Sequence, residues 1–561
     1  MNKKILAALL AAAMLASVAT SCNKTEDDKT DGAGSSSTTS TDKTNDGTSE
    51  DTGNGLGFTM DPAGYPVMDE PYTVTATGFA TTPEGVGAWE SPNEIPYFKN
   101  MEERTNIHVE WEWMTTTALS EKIPIMFAGD DLPDIFYKTY LGGATLGKYG
   151  GDGMIVDLTP YLETYAPDLY ELLSSRDQLK FMTYNGGIWG FPYYFESEGI
   201  RMSKIFVNEK WCNNLGLGIP STWDELETVL LAFRNEDANG NGDATDEQPV
   251  GLSSVGHVTN VFAAGKYNLM NRGSSMGGYY IDADPADASG NTLRCWLTAD
   301  EMKEVYRDIK DWWDKGIFET TLFDDDYWTL TKGKLTTDAC GSHGSYATCA
   351  GPYTEDFTAM TKAPGETWNY VQGYLSSLGS GIITKECEKV EAMVAWFNYT
   401  YTMEGAYEYF VGIEGESYTL DDEGHVVLSD IITNNPDGLE QEQAHLRWSY
   451  YSGGANPGLA TDETFQGGET HDVSLDGCEK FRPATEGLTI WESFPLNDIQ
   501  TEAINTVKGD IDTVYAEYRA AFITGTKDID ADWDAYLADL EAAGLSTYME
   551  AYQAAYDAIN S

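Results

Sequence analysis

The sequence predicts an α/β fold with more than one domain. Strand-like and helix-like segments alternate from residue 72 onward, and the 561 residues, 41% of them hydrophobic, exceed the usual size of a single domain. In a parallel sheet covered by helices, ligands bind at the carboxyl ends of the strands. The loops after the first strands contain Trp89, Trp113, Tyr137 and Tyr140, so we expect a binding site there.

Periodicity predicts the elements of the first half. Apolar residues alternate with polar ones from Ile107 to Trp113, which is typical of a strand. The glycine-rich segment 141–153 has no G-K-[ST] motif, so it is interpreted as a mobile surface loop and not as a phosphate-binding loop. Further strands are predicted at Tyr72–Thr77 and Asp134–Tyr137, and helices at Pro92–Met101 and Leu119–Phe127.

The second half returns to a strand at Tyr370–Leu375 and then becomes mostly helical. Apolar residues at helical spacing from Ile504 to Phe522 predict a helix that ends at Gly525. Two shorter helices are predicted around Trp533 and Tyr548. These aromatic stripes are interpreted as core.

Charge and cysteine content exclude several classes of function. Acidic residues outnumber basic ones 91 to 34, for a formal net charge of −57, and such a surface repels nucleic acid and anionic lipid. The chain has no C-x-x-C motif and its six histidines are scattered, so a zinc site is not expected. Cys340 and Cys349 are the one close cysteine pair, either as a disulfide or as free buried thiols.

The N-terminus has the pattern of an exported lipoprotein. Residues 1–21 combine Lys3 and Lys4 with a short apolar run, as in a signal peptide. Small residues before Cys22 resemble a lipobox, so we predict lipidation, including palmitate, at Cys22; the alternative is ordinary cleavage near Ser21. Residues 22–69 are predicted as a flexible linker. The signal peptide and the lipid anchor predict a location at the outer face of the cell membrane. No later segment is apolar and long enough to span a membrane.

A loop after the helix that starts near Thr222 has the pattern of a calcium site. Alternating Asp and Asn residues place side-chain oxygens on one side of a tight turn, and Gly242 permits the reversal, as in an EF-hand loop. The twelfth position is Gln248 and not the usual Glu, so two later carboxylates could close the shell. The alternative is a plain Asn-Gly turn. The predicted structural Ca²⁺ ligands are Asp237, Asn239, Asn241, Asp243, Asp246 and Glu247.

The chain resembles the extracellular solute-binding proteins of bacterial ABC importers, in particular the sugar- and oligosaccharide-binding lipoproteins of family 1. The resemblance rests on W-x-x-x-LGL-x-x-P-x-T-W-x-E-L from Trp211, on D-x-N-G-N-G from Asp237, and on a C-terminal F-I-T-G…W-D-x-Y pattern. It implies a two-lobed, type II periplasmic-binding-protein-like fold with an interlobe cleft and a helical C-terminal extension. We expect lobe 1 at 70–200 and 365–420, and lobe 2 at 201–364 and 421–561.

The same resemblance implies a function in transport. A monomer would bind a carbohydrate in the cleft and deliver it to the permease subunits of an ABC transporter. Sugars are bound by aromatic faces and polar side chains in combination, and the segment 184–208 offers both. The predicted ligand-binding residues are Trp89, Tyr137, Tyr193, Tyr194, Glu196, Arg201, Trp328, His343 and Trp448.

No catalytic motif is apparent in the sequence. It contains no G-x-S-x-G and no H-E-x-x-H, and pairs of carboxylates are too common to indicate a glycosidase. We therefore predict a protein that is not an enzyme. The alternatives are a lipid-tethered glycoside hydrolase and a peptide- or other nutrient-binding protein of the same fold. A surface adhesin would need repeats or many short strands, and neither pattern is present.

Overall fold

A computed structural model describes most of the chain after residue 55. The described residues are 56–80, 91–251, 254–269, 280–324, 327–344, 346–422, 424–439, 441–450 and 454–561. The predicted signal peptide and Cys22 lie outside these ranges, as does Trp89. No helix within them is long and apolar enough to cross a bilayer.

The secondary structure alternates as the sequence predicts. The strands are β1 Phe58–Met60, β2 Pro66–Met68, β3 Tyr72–Ala80, β4 Ile107–Thr115, β5 Ile135–Leu141, β6 Thr183–Tyr184, β7 Gly187–Ile188, β8 Phe191–Phe195, β9 Phe206–Asn208, β10 Ile281–Ala283, β11 Leu293–Cys295, β12 Ser342–His343, β13 Phe357–Ala359, β14 Leu375–Ile383, β15 Tyr418–Leu420, β16 Val426–Leu428 and β17 Gly458–Ala460.

The helices are α1 Pro96–Thr105, α2 Thr116–Gly129, α3 Gly143–Gly151, α4 Leu162–Tyr165, α5 Pro167–Ser175, α6 Leu179–Met182, α7 Glu198–Arg201, α8 Glu209–Leu215, α9 Trp223–Asn235, α10 Val255–Lys266, α11 Glu301–Asp314, α12 Tyr327–Leu335, α13 Val390–Asn398, α14 Met403–Phe410, α15 Asp430–Thr433, α16 Gln441–His445, α17 Asp472–Phe481, α18 Asp498–Thr524, α19 Trp533–Ala542 and α20 Leu545–Asn560. Short 3-10 helices lie at Pro92–Glu94, Trp296–Thr298, Thr320–Phe323, Ala347–Asp356, Tyr399–Tyr401 and Arg482–Ala484.

A six-stranded mixed sheet organises the first lobe, in the order β17-β8-β14-β5-β3-β4. Strand β3 pairs in parallel with β4 and β5, as strand-helix alternation predicts, whereas β14 is antiparallel to both β5 and β8. Helices pack on this sheet and bury a core that includes Val74, Ile135, Phe191 and Trp396. Strand β17 belongs to this sheet although it comes late in the chain.

A three-stranded sheet, β12-β9-β13, organises the second lobe. Its apolar core runs from β9 through helices α9 to α11 and continues into the C-terminal helices. Trp211, Trp296, Ile309 and Phe522 are fully buried there. The long helix α18 is capped by Asn497 and ends at Gly525 (φ 72°), as its sequence predicts.

Two antiparallel segments connect the lobes. The first follows β8 and leads to β9, and the second runs back toward β14. They pair side by side, since Ser203 N donates to Tyr370 O at 3.0 Å and Gln372 N donates to Arg201 O at 2.8 Å. An isolated bridge joins Met202 to Val371 between these bonds. We call residues 196–205 and 370–374 the crossing segments.

The glycine-rich segment 141–153 is not the loop that its composition predicts. Most of it forms helix α3. Its glycines let aromatic rings approach the backbone, because a Cβ at Gly143 would overlap the ring of Tyr184, and one at Gly150 would overlap Trp189. The lack of side chains therefore reflects close packing and not mobility.

Three further local expectations need adjustment. The predicted linker ends before residue 69, because β1 pairs with β2 and buries Phe58 and Met68. The strand expected at Tyr370–Leu375 starts only at Leu375. Thr222 caps α9 as predicted, but Glu225 accepts hydrogen bonds from Ser221.

The six described cysteines are all free and buried. Of the two readings left open for Cys340 and Cys349, the structure has the free thiols. Burial raises the pKa of both thiols to about 12, so they are poor nucleophiles at neutral pH.

Candidate functional site

A cavity of about 610 Å³ lies in the second lobe beside the crossing segments. Its wall combines aromatic rings with charged and amide side chains. The aromatic residues are Tyr280, Trp296, Tyr346, Tyr370 and Tyr515. The charged, amide and imidazole residues are Lys204, His257, Asn260, Gln372, Glu469, Asp512 and Arg519. This composition suits a ligand with both flat apolar faces and many hydroxyl groups.

Several separate parts of the chain build this wall, and three of them are the first crossing segment and the helices α10 and α18. The first crossing segment contributes Ser203 and Lys204. Helix α10 contributes its first turn, where Ser254 caps the helix by accepting from His257 N at 3.1 Å. Helix α18 contributes Asp512 and Arg519, whose spacing of seven places them on one face.

The acidic groups of the wall are hydrogen-bonded or have a raised pKa. Asp512 accepts a hydrogen bond from the Tyr280 hydroxyl and another from Lys508 Nζ at 2.6 Å. Burial raises the pKa of Glu469, which favours its neutral form. The pKa of His257 falls to about 4 because the ring is buried, so this imidazole is neutral at neutral pH.

The two cations of the wall have unusual surroundings. Lys204 is 4% exposed, and its Nζ donates to Gly199 O at 2.9 Å and to Cys478 Sγ at 3.4 Å. Burial lowers its pKa. Arg519 packs over the ring of Tyr515, with its Cζ 4.6 Å from the ring centroid.

The predicted ligand-binding residues do not line this cavity. Tyr137 is fully buried between Phe98 and Phe397 in the core of the first lobe. Tyr193 stacks on Phe410 in the same core. Neither ring is accessible to a ligand in this conformation.

His343 is also inaccessible. It is fully buried and stacks on Phe206 in the three-stranded sheet. Burial lowers its pKa to about 3. The chain passes from His343 to Gly344, and Gly344 lines the cavity whereas the His343 side chain does not.

Four predicted residues have other surroundings or are not described in full. Trp448 is half-buried next to Gly412. The side chain of Trp328 and all of Trp89 lie outside the described residues. Glu196 is one-third exposed and forms an ion pair with Arg176. As a set, the ligand-binding residues stay a prediction.

Tyr194, Glu196 and Arg201 instead join a polar network at the crossing segments. The Cζ of Arg201 lies 3.5 Å from the centroid of the Tyr374 ring, and Arg201 Nε donates to Gln372 O at 3.1 Å. The Tyr194 hydroxyl donates to Gln178 Oε1 at 2.8 Å. These contacts tie the first lobe to the crossing segments.

Glu492 completes this network from the C-terminal part of the chain. Its carboxylate accepts from Tyr374 N at 2.7 Å, from Leu375 N at 3.0 Å and from Gln178 Nε2 at 3.0 Å. It is 5% exposed, and burial raises its pKa. A Cβ at Gly373 would overlap this carboxylate. We call Tyr194, Arg201, Tyr374 and Glu492, with Gln178, the hinge network.

The predicted calcium loop turns back on itself after α9. Asp237 Oδ2 accepts from Gly242 N at 2.9 Å, and Glu247 Oε1 accepts from Ala238 N at 2.9 Å. The second oxygens, Asp237 Oδ1 and Glu247 Oε2, are buried without a hydrogen-bond partner. Leaving a buried carboxylate oxygen unpaired is costly, and a bound cation would satisfy both atoms.

Other parts of the loop are less complete as a metal shell. Asn241 Nδ2 donates to Asp246 Oδ2 at 2.8 Å, and Asp243 Oδ1 accepts from Thr245. Gln248 is buried and donates to Val250 O at 3.0 Å, so it does not face the loop centre. Among the described residues, no group of three or more His, Cys, Asp or Glu side chains is arranged to hold a metal ion.

Sequence reasoning missed the cavity residues because they come from distant segments. Arg519 follows Tyr518 within a helix that was interpreted only as core. The signal that could have found it is an arginine beside the apolar stripe of a helix, in a chain with few cations. Lys204 lies within the aromatic segment 184–208 that was singled out, but its charge was not considered.

Comparison with known proteins shows the same architecture. Residues 77–294 match the family described as bacterial extracellular solute-binding protein. The substrate-binding protein FusA of a fructooligosaccharide ABC transporter, from Streptococcus pneumoniae, is 25% identical over 506 residues, which cover 83% of this chain and 88% of FusA. Lipoprotein LipO of Bacillus subtilis is 29% identical over 27% of this chain and 29% of LipO.

Solved structures agree with these sequence matches. An EF-hand mutant of S. pneumoniae FusA in complex with fructo-nystose aligns with a TM-score of 0.68 and 20% identity, covering 87% of this chain and 99% of that one. An extracellular solute-binding protein from Bifidobacterium longum subsp. infantis aligns with a TM-score of 0.70 and 21% identity, covering 88% and 99%. The resemblance to the extracellular solute-binding proteins and the two-lobed fold are thus confirmed.

Proposed function

We propose that this protein is the substrate-binding lipoprotein of an ABC transporter that captures a carbohydrate, most simply an oligosaccharide. The observation that carries this proposal is the cavity beside the crossing segments, where aromatic rings and polar side chains alternate in a two-lobed fold. FusA, which is named for fructooligosaccharide, and the Bifidobacterium protein share that fold. The closed protein then delivers its ligand to the permease subunits.

Lobe closure follows from how the crossing segments are held. Hinge motion occurs where few residues join two rigid bodies, and here these residues are the paired crossing segments. A ligand drives closure only through contacts that differ between the open and closed states. The cavity is lined by both crossing segments and by the second lobe, so a sugar bound there lies next to the moving part. We place lobe 1 at 70–200 and 365–420, with lobe 2 at 201–364 and 421–561, apart from strand β17.

The calcium loop would have a structural role. Asp237 and Glu247 would supply the two buried unpaired oxygens, and Asn239, Asn241, Asp243 and Asp246 the outer ligands. The ion would neutralise two buried carboxylates and fix the loop to α9. The aligned FusA structure is that of an EF-hand mutant, which supports a comparable site in that protein.

Attachment to the outer face of the membrane would occur through Cys22. The match to lipoprotein LipO supports this, together with the signal-peptide pattern of residues 1–21. Delivery to a permease requires that the binding protein stays near the membrane, which a lipid and a linker achieve without a spanning helix. We propose that the tethered protein acts as a monomer.

A binding screen tests the carbohydrate proposal. The melting temperature of the full chain, purified in mild detergent, is measured with a panel of monosaccharides, oligosaccharides and peptides. Separate samples are incubated for a long time, and the recovered saccharides are examined for cleavage. We expect one saccharide class to raise the melting temperature and to be recovered intact. Recovery of cleaved sugar would instead support the hydrolase, and stabilisation by peptides alone would change the class of ligand.

A matched pair of tyrosine variants places the ligand in the cavity. Tyr346 lines it, whereas the half-buried Tyr353 nearby does not. We expect Tyr346→Ala to weaken binding about ten-fold, since a stacked ring contributes on the order of 1–2 kcal/mol, and Tyr353→Ala to bind as the natural protein does. Equal affinities for the two variants would place the ligand elsewhere.

A further inference from the structure

Arg519 lines the cavity without a counter-ion. Its Nη1 donates to the Tyr515 hydroxyl at 3.2 Å, while its Nε is buried without a hydrogen-bond partner. Among the described residues, no carboxylate lies within 4 Å of the guanidinium. This is unexpected in a chain with 91 acidic residues, because a cation with a buried donor atom is normally paired, although the side chain of Arg519 as a whole is only partly buried.

Lys204 adds a second cation on the same wall. It is nine-tenths buried, and its two hydrogen-bond partners are a carbonyl oxygen and a thiol. Within the described part of the chain, it too has no carboxylate within 4 Å. An ammonium group has three N–H donors, so one donor of Lys204 is left for a group inside the cavity.

The first turn of α10 adds to the positive potential around Arg519. Nη1 of Arg519 lies 3.6 Å from the position that a Cβ on Gly256 would occupy, so the guanidinium faces the start of that helix. A helix N-terminus carries partial positive charge and repels a cation. An anion between the Arg519 guanidinium and the N-terminus of α10 would offset the repulsion between these two positive groups.

The carboxylates of the wall do not supply that anion. Asp512 is engaged by Tyr280 and Lys508. Glu469 interacts electrostatically with Lys204 but forms no ion pair within 4 Å in the described structure, and burial raises its pKa. The charge presented to a ligand near Arg519 is therefore positive, in contrast to the surface of the whole protein.

We propose that the cavity binds a saccharide with an anionic substituent, a carboxylate or a sulfate, and that Arg519 receives this group. The planar guanidinium suits two parallel hydrogen bonds to such a group. Lys204 and the first turn of α10 contribute further positive potential. This inference rests on the proposed carbohydrate-binding function and deepens it by naming the class of sugar.

The test compares saccharides that differ only in the anionic group. Uronate oligosaccharides are titrated against their neutral methyl esters, and sulfated disaccharides against their desulfated forms, with the full chain in detergent at fixed ionic strength. We expect at least one acid to bind about ten-fold or more tightly than its neutral form, since a hydrogen bond to a charged partner is worth that much. The pair of arms separates carboxylate from sulfate.

Variants then connect the preference to Arg519. Arg519→Gln is expected to remove the preference for the acid, so that the affinity for the acid falls about ten-fold further than the affinity for the neutral form. Arg519→Lys keeps the charge and serves if the glutamine variant is unstable; it should retain part of the preference. Arg447→Gln removes one charge from the surface pair with Asp437 and is the control, expected to bind as the natural protein does.

The outcomes separate this inference from the function on which it rests. Binding of neutral saccharides alone would overturn the anionic site and leave carbohydrate binding in place. An equal loss of acid and neutral binding in Arg519→Gln would also overturn it. Failure of every saccharide to bind would overturn both.

Discussion

Removal of calcium should destabilise the protein through the loop after α9. The perturbation is chelation with EDTA, compared with Asp237→Asn. In the structure, Asp237 Oδ1 and Glu247 Oε2 are buried and unpaired, and burial raises the pKa of Glu247. Without an ion, the two buried oxygens lack a partner, which lowers the stability of the folded protein. A bound ion supplies that partner and restores the stability.

The size of the effect follows from binding linkage. Calcium at 100 times its dissociation constant stabilises the folded state by about 2.7 kcal/mol. A lobe of roughly 300 residues unfolds with an entropy of about 0.6 kcal/mol/K near 60 °C, so the melting temperature should fall by about 4 °C on chelation. If both lobes unfold together, the shift is about half as large.

Differential scanning calorimetry with and without chelator measures this shift. Asp237→Asn should melt at the temperature of the chelated protein and should not respond to EDTA. Asp287→Asn is the control, because Asp287 lies in another acidic turn whose oxygens accept from Ser289 and Thr292. An identical melting temperature with and without chelator would refute the calcium assignment.

Two further predictions concern buried titratable groups. The pKa of His343 is about 3 in the folded protein and 6.5 in the unfolded chain, so its contribution to the free energy of unfolding is complete above pH 6.5 and is lost as the pH falls toward 3. The natural protein should therefore lose unfolding free energy between pH 7 and 4.5, and His343→Gln should remove about 2–3 kcal/mol of that loss. Denaturant titration at the two pH values measures the difference. An unchanged difference between the two proteins across that range would contradict this. Glu492→Gln should lower the free energy of unfolding by about 1–3 kcal/mol, because an amide NH₂ would face backbone N–H donors. Gly373→Ala should lower it by a similar amount, because the added Cβ displaces the Glu492 carboxylate. Gly218→Ala, where the added Cβ meets no atom, is the control and should leave the free energy of unfolding unchanged. Full stability of Glu492→Gln would mean that the hinge network is not a stabilising contact.

Local periodicity was sufficient to predict much of the fold. Strand β4 alternates apolar and polar residues because one face is buried, and α18 repeats apolar residues at helical spacing up to Gly525. These patterns depend only on neighbouring residues, so the sequence displays them directly. The antiparallel pairing of β14 depends on a strand far away in the chain, and no local pattern indicated it.

Prediction failed where packing partners were distant. Segment 141–153 has the composition of a loop, but most of it forms helix α3. Its glycines allow the rings of Tyr184 and Trp189 to pack against the helix backbone. The cavity was not predicted from the sequence for a related reason. Aromatic residues such as Tyr137 were expected to contact ligand, yet their rings fill the core, and the cavity is built by side chains whose proximity arises only in the folded protein.

Helix α18 connects distant parts of the molecule as a single rigid rod. Its first residue, Asp498, accepts a hydrogen bond from Asn185 of the first lobe at 3.2 Å, and the helix also contacts α3 there. Arg519, on the same rod, lies in the cavity wall. At about 1.5 Å per residue, the two points are roughly 30 Å apart. A pivot of about 5° at the cavity would therefore move the far end by roughly 3 Å, which is enough to break the bond to Asn185. If the proposed ligand caused such a pivot, a small adjustment in the cavity would become a larger displacement at the rim of the other lobe.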